Sequence, residues 1–411
     1  MKIENLRSEK IEARSRVAAK VIWEDNDRPT EEVYFEVDEA YADILSCNPN
    51  AFLVACAIPA MYYGEERIFI DSEICPELRN GLMTAMHWLR YWYYPADHKL
   101  ITIEAKTTSG IPMPRTSERA ALFFSGGIDS LAALRVNRRT FPQSHPWYFR
   151  DALIVYGLEL GSPKAFEYVL SSLSEAARAI NITLIPIYTN LYLNYRKDDE
   201  ANGFDLWENQ FGGATLAAVA HALSRRYTAV TSAATFDIPN LRPWGAHPLL
   251  ESNYSSADVR MRHDILSLSR LERTKLVADW DEVLPYLRIC NMSQDYKPGR
   301  LNCGQCEKCI RTMLAFYILG SLDRASAFPA QDISAELILK RVKFTADDQV
   351  ICYPEMLEPL AQMGREDLVR AIEYRLAAYH HPERGLRKRI KRIDSKHFSG
   401  KLKQAYRAIK K

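Results

Sequence analysis

The chain has no apolar run long enough to cross a bilayer. Its longest, Ala51 to Tyr63, spans about 13 residues and contains Pro59, where roughly 20 are needed. Its opening residues, MKIENLRSEKIEARSR, lack the apolar core of a secretory leader. The expected location is therefore the cytoplasm, with no membrane partner. An excess of one charge is also missing: 54 Lys and Arg face 52 Asp and Glu, so no whole-molecule field draws the chain to nucleic acid. Glycine and proline are sparse, 17 and 20 among 411 residues, which excludes collagen-like and low-complexity chains. Eight cysteines are too few for a disulfide scaffold, yet half of them fall between Cys290 and Cys309. No internal repeat is present, and neither GxxxxGK[ST] nor GxGxxG occurs. What remains is a chain with 47% hydrophobic residues, long enough for two or three domains.

The pattern of elements separates into blocks. Residues 1–117 mix alternating strand-like segments (ARSRVAAKVIWED, EEVYFEV, ERIFIDS, KLITIEAK) with a helix opened by Pro76, an α+β module. TTSGIPMPRTSER, with Gly110, Pro112 and Pro114, reads as a linker. Residues 118–284 alternate apolar strands (AALFF, DALIVYGLEL, ITLIPIYTNL, TAVTSAATF) with amphipathic helices, which predicts a doubly wound α/β domain with a parallel sheet. Ligands of such sheets sit at the carboxyl ends of the strands. Residues 285–320 carry the cysteines, and 321–411 read as helical with a basic tail. That tail, 384–411, holds twelve Lys and Arg against the single acid Asp394, and it suits RNA, an acidic protein face or simple solvation.

Ser125-Gly126-Gly127-Ile128-Asp129-Ser130 follows the first apolar strand of the second block and precedes a helix. Glycines let the backbone approach an oxyanion, and successive N–H groups at a helix start cradle it. Ser125 and Ser130 can donate hydroxyls to phosphate, and Asp129 can ligate Mg²⁺. The alternative is a tight strand-to-helix turn with an Asp–Ser cap.

Cys290-x12-Cys303-x2-Cys306-x2-Cys309 offers four thiolates, the number a closed tetrahedral Zn²⁺ site needs, so its expected role is structural. An iron–sulfur cluster and metal-free cysteines stay open as alternatives.

SGGIDS after an apolar strand resembles the PP-loop of the N-type ATP pyrophosphatases, over about residues 119–312. The resemblance implies cleavage of ATP between its α- and β-phosphates and adenylation of a substrate oxygen, after which a nucleophile displaces AMP. With the cysteines that follow, the chain resembles the 7-cyano-7-deazaguanine synthase (QueC) family. That family turns 7-carboxy-7-deazaguanine into the amide and then the nitrile with ATP, Mg²⁺ and ammonia. Tyr156-Gly157 and Ser269-Arg270-Leu271-Glu272 match the family loosely. The Pro-x-Arg-Asn step is not found, and Trp207-Glu208-Asn209-Gln210 stands near its place. Extra residues before and after the matched region make the chain similar to extended members in bacterial antiphage defence. There the resemblance implies a deazaguanine joined to a protein partner.

The ATP site implied by these matches comprises Ser125, Gly126, Gly127, Ile128, Asp129, Ser130, Tyr156 and Lys275, with Ser125, Asp129 and Ser130 as the reacting set. Arg273 and Lys275 read as phosphate partners or, equally, as exposed helix charges. Asn209, Arg242, Trp244 and His247 are candidates for a small deazapurine-like substrate: Trp244 by stacking, Arg242 by pairing a carboxylate, His247 or His263 by moving a proton. The alternative for each is a packed proline-rich loop. Position 2 is Lys and Cys306 lies between Gln305 and Glu307, so no glutaminase nucleophile is expected. The amine then arrives as free ammonia or belongs to another molecule. A tRNA sulfur-transfer enzyme and a non-catalytic ATP-binding subunit are the competing functions.

Overall fold

The computed structural model describes residues 1–112, 118–158, 160, 162–290, 296, 300–329 and 332–381. The basic tail 384–411 and Pro114 of the expected linker lie outside the described residues. The chain divides into two compact units, Met1–Leu301 and Asn302–Lys411.

The strands of the first unit are β1 Lys2–Ile11, β2 Arg14–Ile22, β3 Glu31–Asp38, β4 Arg67–Ile74, β5 Thr102–Thr107, β6 Ala120–Phe123, β7 Asp151–Tyr156, β8 Thr183–Thr189, β9 Ala229–Ala233 and β10 Arg260–Asp264. They form one ten-stranded sheet in the order β10-β9-β6-β7-β8-β3-β2-β1-β4-β5. Six of its nine pairings are parallel; β1/β2, β2/β3 and β3/β8 are antiparallel. The mixed α/β class and the parallel sheet read from the sequence are thus present. The expected division at 117/118 is not a division of the sheet. In the β3/β8 pairing Phe35 lies opposite Thr189 and Val37 opposite Ile187, which makes the N-terminal and central strands continuous. The first two expected parts fall in one unit, and the chain divides at 301/302 rather than at 284/285 and 320/321.

Eight helices are described in this unit: α1 Pro49–Tyr62, α2 Pro76–Tyr93, α3 Ile128–Thr140, α4 Pro163–Ala179, α5 Arg196–Ala201, α6 Gly212–Ala222, α7 Pro248–Glu251 and α8 Arg270–Ala278. The long apolar run of the sequence is α1. The Asn48 side chain accepts from the Asn50 amide at 3.0 Å and caps it, and every residue from Asn50 to Met61 is buried. A helix apolar on all sides needs cover on all sides. Here α1 packs on β1 and β4 and against α6, whose Gly, Ala and Thr side chains allow close approach. Phe35 and Phe52 share one hydrophobic cluster with Ile187, Val219 and Val230, so one core serves both halves of the sheet.

His221 of α6 is fully buried in that core. Its Nε2–H donates to the Tyr254 carbonyl at 2.8 Å, while Nδ1 has no partner. Burial pushes its pKa down from 6.5 to about 4. The unfolded chain therefore binds the extra proton first as pH falls. Stability should be complete above about pH 6.5 and decline toward pH 4 by about 3 kcal/mol. Urea unfolding of wild type and His221→Gln across that range checks this: the variant is expected to lose most of the slope.

The second unit is helical: α9 Glu307–Ile318, α10 Ala335–Arg341, α11 Asp347–Val350, α12 Pro354–Gln362 and α13 Glu366–His380. Arg365 ties it together, donating to the Tyr317 hydroxyl at 2.7 Å and to the Ile333 carbonyl at 3.2 Å.

Candidate functional site

Among the five parallel strands, β6 lies between β7 and β9. The chain leaves β6 toward β7 and returns much later to β9, so the sheet reverses direction of winding beside β6. A crevice opens at such a point. The loop Ser125–Ser130 occupies it, running from β6 into α3.

Two glycines shape the loop. Gly126 has φ +74°, and a Cβ there would lie 2.4 Å from Leu173 Cδ2 of α4. Gly127 is the N-cap of α3, so the unpaired amides of the first turn of that helix begin at Ile128 and Asp129. Ser130 donates to the Gly127 carbonyl at 3.1 Å, and the Ser125 and Ser130 hydroxyls stand 3.4 Å apart. Ser125 is exposed, whereas Gly126, Ile128 and Ser130 are buried. A short, positively polarised, oxygen-lined turn results, a geometry that accepts an anion.

Asp129 points to α8. Its Oδ2 accepts from Arg270 Nη1 at 2.6 Å and its Oδ1 from Arg273 Nη1 at 3.0 Å. Burial raises the Asp129 carboxyl, but the two guanidiniums outweigh it and hold the group below its ordinary value. Arg273 is 1% exposed. Its other bonds go to the carbonyls of Ala234 and Thr235 after β9, and of Ile265 and Leu268 after β10. One side chain thus locks two strand ends to the loop. Ile265 itself has φ +66°, a conformation costly for a β-branched residue, beside this lock. From below, the Arg288 amide donates to the Gly126 carbonyl at 2.9 Å and its Nη1 to the Ser125 carbonyl at 3.3 Å.

Of the candidates for ATP, Tyr156 ends β7 and packs edge-on against Phe166, ring centres 5.4 Å apart. The next residue, Gly157, has φ +93°, and a Cβ there would lie 1.7 Å from the Thr189 carbonyl oxygen. Backbone cannot yield as a side chain can. Gly157→Ala is expected to destabilise the unit by more than about 3 kcal/mol, measured by urea unfolding. Lys275 is exposed. It stands two residues from Arg273 on α8, and positions two apart do not share a helix face. Arg273, not Lys275, reaches the loop.

The substrate candidates divide. Asn209 lies in a π-helical stretch, Asp205–Phe211, and donates to Asp205 at 2.7 Å. Gly245 reaches this stretch, its amide donating to the Glu208 carbonyl at 2.8 Å, so the loop 242–247 packs on it. π-helical turns often mark functional segments. Arg242 lies over the Phe236 ring at 4.7 Å, and Trp244 meets Phe236 edge-on at 5.7 Å. His247 is buried, and its Nδ1 accepts from the Leu249 amide at 3.0 Å. Burial, then proximity of His263, pushes the His247 pKa down.

The four cysteine sulfurs, Cys290, Cys303, Cys306 and Cys309, lie within 4.8 Å of one another. Tetrahedral zinc with Zn–S of about 2.3 Å separates its sulfurs by about 3.8 Å, and the Cys303 and Cys309 sulfurs are 3.9 Å apart. Amides of Gln305 and Cys306 point at Cys303 Sγ (3.4 and 3.2 Å), and the Cys309 amide at Cys306 Sγ (3.4 Å). Such donors, with Cys306 and Cys309 at the start of α9, favour thiolates. Gly304 at φ +68° makes the turn between them. The donor set fits zinc. Among the described residues no other group of this kind occurs.

No family model, curated protein or solved structure matches this chain. Sequence reasoning passed over Arg270 as a partner of Asp129 and read Arg273 as a phosphate partner or an exposed charge, not as a partner of Asp129. It missed Arg288 and Glu251 altogether. A Ser-x-x-Glu signature at 269–272 marked the start of α8, since Ser269 and Glu272 form its capping box. From there the 3.6-residue period could have aimed Arg270 and Arg273 together at a neighbour.

Proposed function

We propose that the chain is an ATP-dependent C–N ligase that forms AMP and pyrophosphate and activates a carboxylate resembling that of 7-carboxy-7-deazaguanine. The observation that carries this reading is the loop Ser125–Ser130 at the crevice beside β6, with a glycine in left-handed backbone and an open helix start. In this reading the loop amides and the Ser125 and Ser130 hydroxyls hold the pyrophosphate portion of ATP. Mg²⁺ held by Asp129 would supply charge neutralisation for the leaving group. Each Asp129 oxygen keeps a second lone pair beside its arginine bond. Arg270, half free of Arg273's constraints, faces the same charge. The substrate carboxylate attacks the α-phosphorus, pyrophosphate departs, and an amine then attacks the acyl carbon and expels AMP. Arg242 and Trp244, which pack on Phe236 just past β9, would hold the substrate carboxylate and ring. Zinc at Cys290, Cys303, Cys306 and Cys309 would be structural, with no open position. The acceptor is ammonia or an amine of a partner, including a partner protein as in the antiphage systems the chain resembles.

The test is release of pyrophosphate and AMP from Mg·ATP by the full chain, with and without 7-carboxy-7-deazaguanine and ammonia, the products weighed by mass spectrometry. Release that requires the deazaguanine is expected. ATP bound with no release under any of these conditions would overturn the reading and favour a nucleotide-sensing subunit.

A further inference from the structure

Buried Ser232 and Glu251 and half-buried His263 form a cluster that the ATP site leaves unused. Ser232 and His263 are ladder partners on β9 and β10, at the carboxyl ends of those strands. Glu251, at the end of α7, is fully buried and lacks an arginine or lysine partner. Its Oε2 accepts from the Ser232 hydroxyl and from His263 Nδ1, the latter at 2.7 Å. Its Oε1 is buried with no partner among the described residues. The carboxylate therefore fixes one tautomer: the proton sits on Nδ1, and Nε2 carries the lone pair. Nε2 makes no hydrogen bond among the described residues. The side chain is 7% exposed.

The cluster is tied to the loop by a short path. The Ala234 amide, two residues past Ser232, donates to the Asp264 carbonyl at 3.0 Å. The Ala234 carbonyl accepts from Arg273, whose same nitrogen holds Asp129. His263 thus stands at the strand ends after which Arg273 ties the chain to the loop, close to His247. Other groups around it are few. His247, just before α7, is the titratable neighbour; burial, then proximity of His263, pushes the His247 pKa down. Arg262 and Asp264 alternate to the opposite face of β10 and pair with each other at 3.1 Å.

We propose that His263 is the base of the second half-reaction, with Glu251 and Ser232 as its positioning residues. This rests on the ligase reading above. As the amine nitrogen bonds to the acyl carbon, one of its N–H protons passes to His263 Nε2. The bond from the acyl carbon to the AMP oxygen breaks, and its electron pair leaves with the phosphate. The imidazolium, stabilised by Glu251, returns its proton to water. The first half-reaction needs no such base, because a carboxylate attacks as the anion. The proposal therefore separates the two steps, which a merely structural role does not.

The experiment compares wild type, His263→Gln and Glu251→Gln as full chains. Adenylation is read as ATP–pyrophosphate exchange with 7-carboxy-7-deazaguanine, and amide formation as a single turnover against pH at constant free ammonia. For His263→Gln, exchange should stay within about twofold while amide formation falls about 100-fold and is restored in part by added imidazole. Glu251→Gln should lose about tenfold in the same step and displace its pH profile. Exchange and amide formation falling together, or neither falling, would overturn the proposal. So would a loss that imidazole does not restore in a variant whose melting matches wild type. Failure of the ligase reading is distinguishable: wild type itself would then show no exchange, and both ideas would fall.

Discussion

Asp129→Asn is expected to lower pyrophosphate release at least about 1,000-fold, the scale of removing a preorganised electrostatic group from a reacting centre. The substitution keeps the shape of the side chain and removes its charge. Two arginines then face the loop without their counter-ion, and the carboxylate that would hold Mg²⁺ is gone. Arg273 retains four backbone carbonyls as acceptors, so it stays in place. The expected stability cost is on the order of 1–3 kcal/mol, that of a lost charged hydrogen bond, and the fold should persist. Thermal melting together with the pyrophosphate assay separates the two effects. Turnover near that of wild type would remove the loop from the mechanism.

The second large effect is at the cysteines. Cys303→Ser and Cys309→Ser should each reduce bound metal from about one ion per chain to none, read by elemental mass spectrometry. Structural zinc binding contributes on the order of 10–16 kcal/mol in isolated zinc peptides, so its loss exceeds what most helical units can tolerate. In this chain Cys306 caps α9 and Cys309 lies in its first turn. Loss of the ion therefore removes the start of α9, the helix of the second unit that carries Phe316 and Tyr317. A drop in helical circular dichroism and a lower melting temperature are expected, and a chelator should reproduce both in wild type. Zinc as the bound metal favours the ligase reading. Iron with visible absorption would favour the sulfur-transfer alternative.

Most strands of the sheet were legible because they carry their own pattern. β2, β3, β4, β5, β6, β7, β8 and β9 alternate or run apolar, and each coincides with a segment read as strand. Two strands escaped. β1 buries little beyond Ile3 and presents mostly charged or half-exposed side chains. It is held by backbone pairing with β2 and β4, which leaves no hydrophobic period to read. β10 is an edge strand of mostly polar residues, so RMRHD carries no apolar period to read. Proline and glycine marked α2 and the linker, yet the linker does not separate two bodies. Nothing local announces that β3 pairs with β8, because strand pairing depends on residues about 150 positions apart.

The sequence by itself determined the glycine loop, the cysteine set, the α/β class and the helix that follows each. These are local: a backbone conformation closed to other residues, a ligand spacing, a period of 2 or 3.6. Only the tertiary structure decided which side chains meet at the site. Arg273 reads as an exposed helix charge until the ends of β9 and β10 close around it. Glu251 and His263 are twelve residues apart with no motif between them, and they meet because α7 folds back over β10. A buried charge is stable only where distant backbone and counter-ions converge, and that convergence is a property of the packed chain.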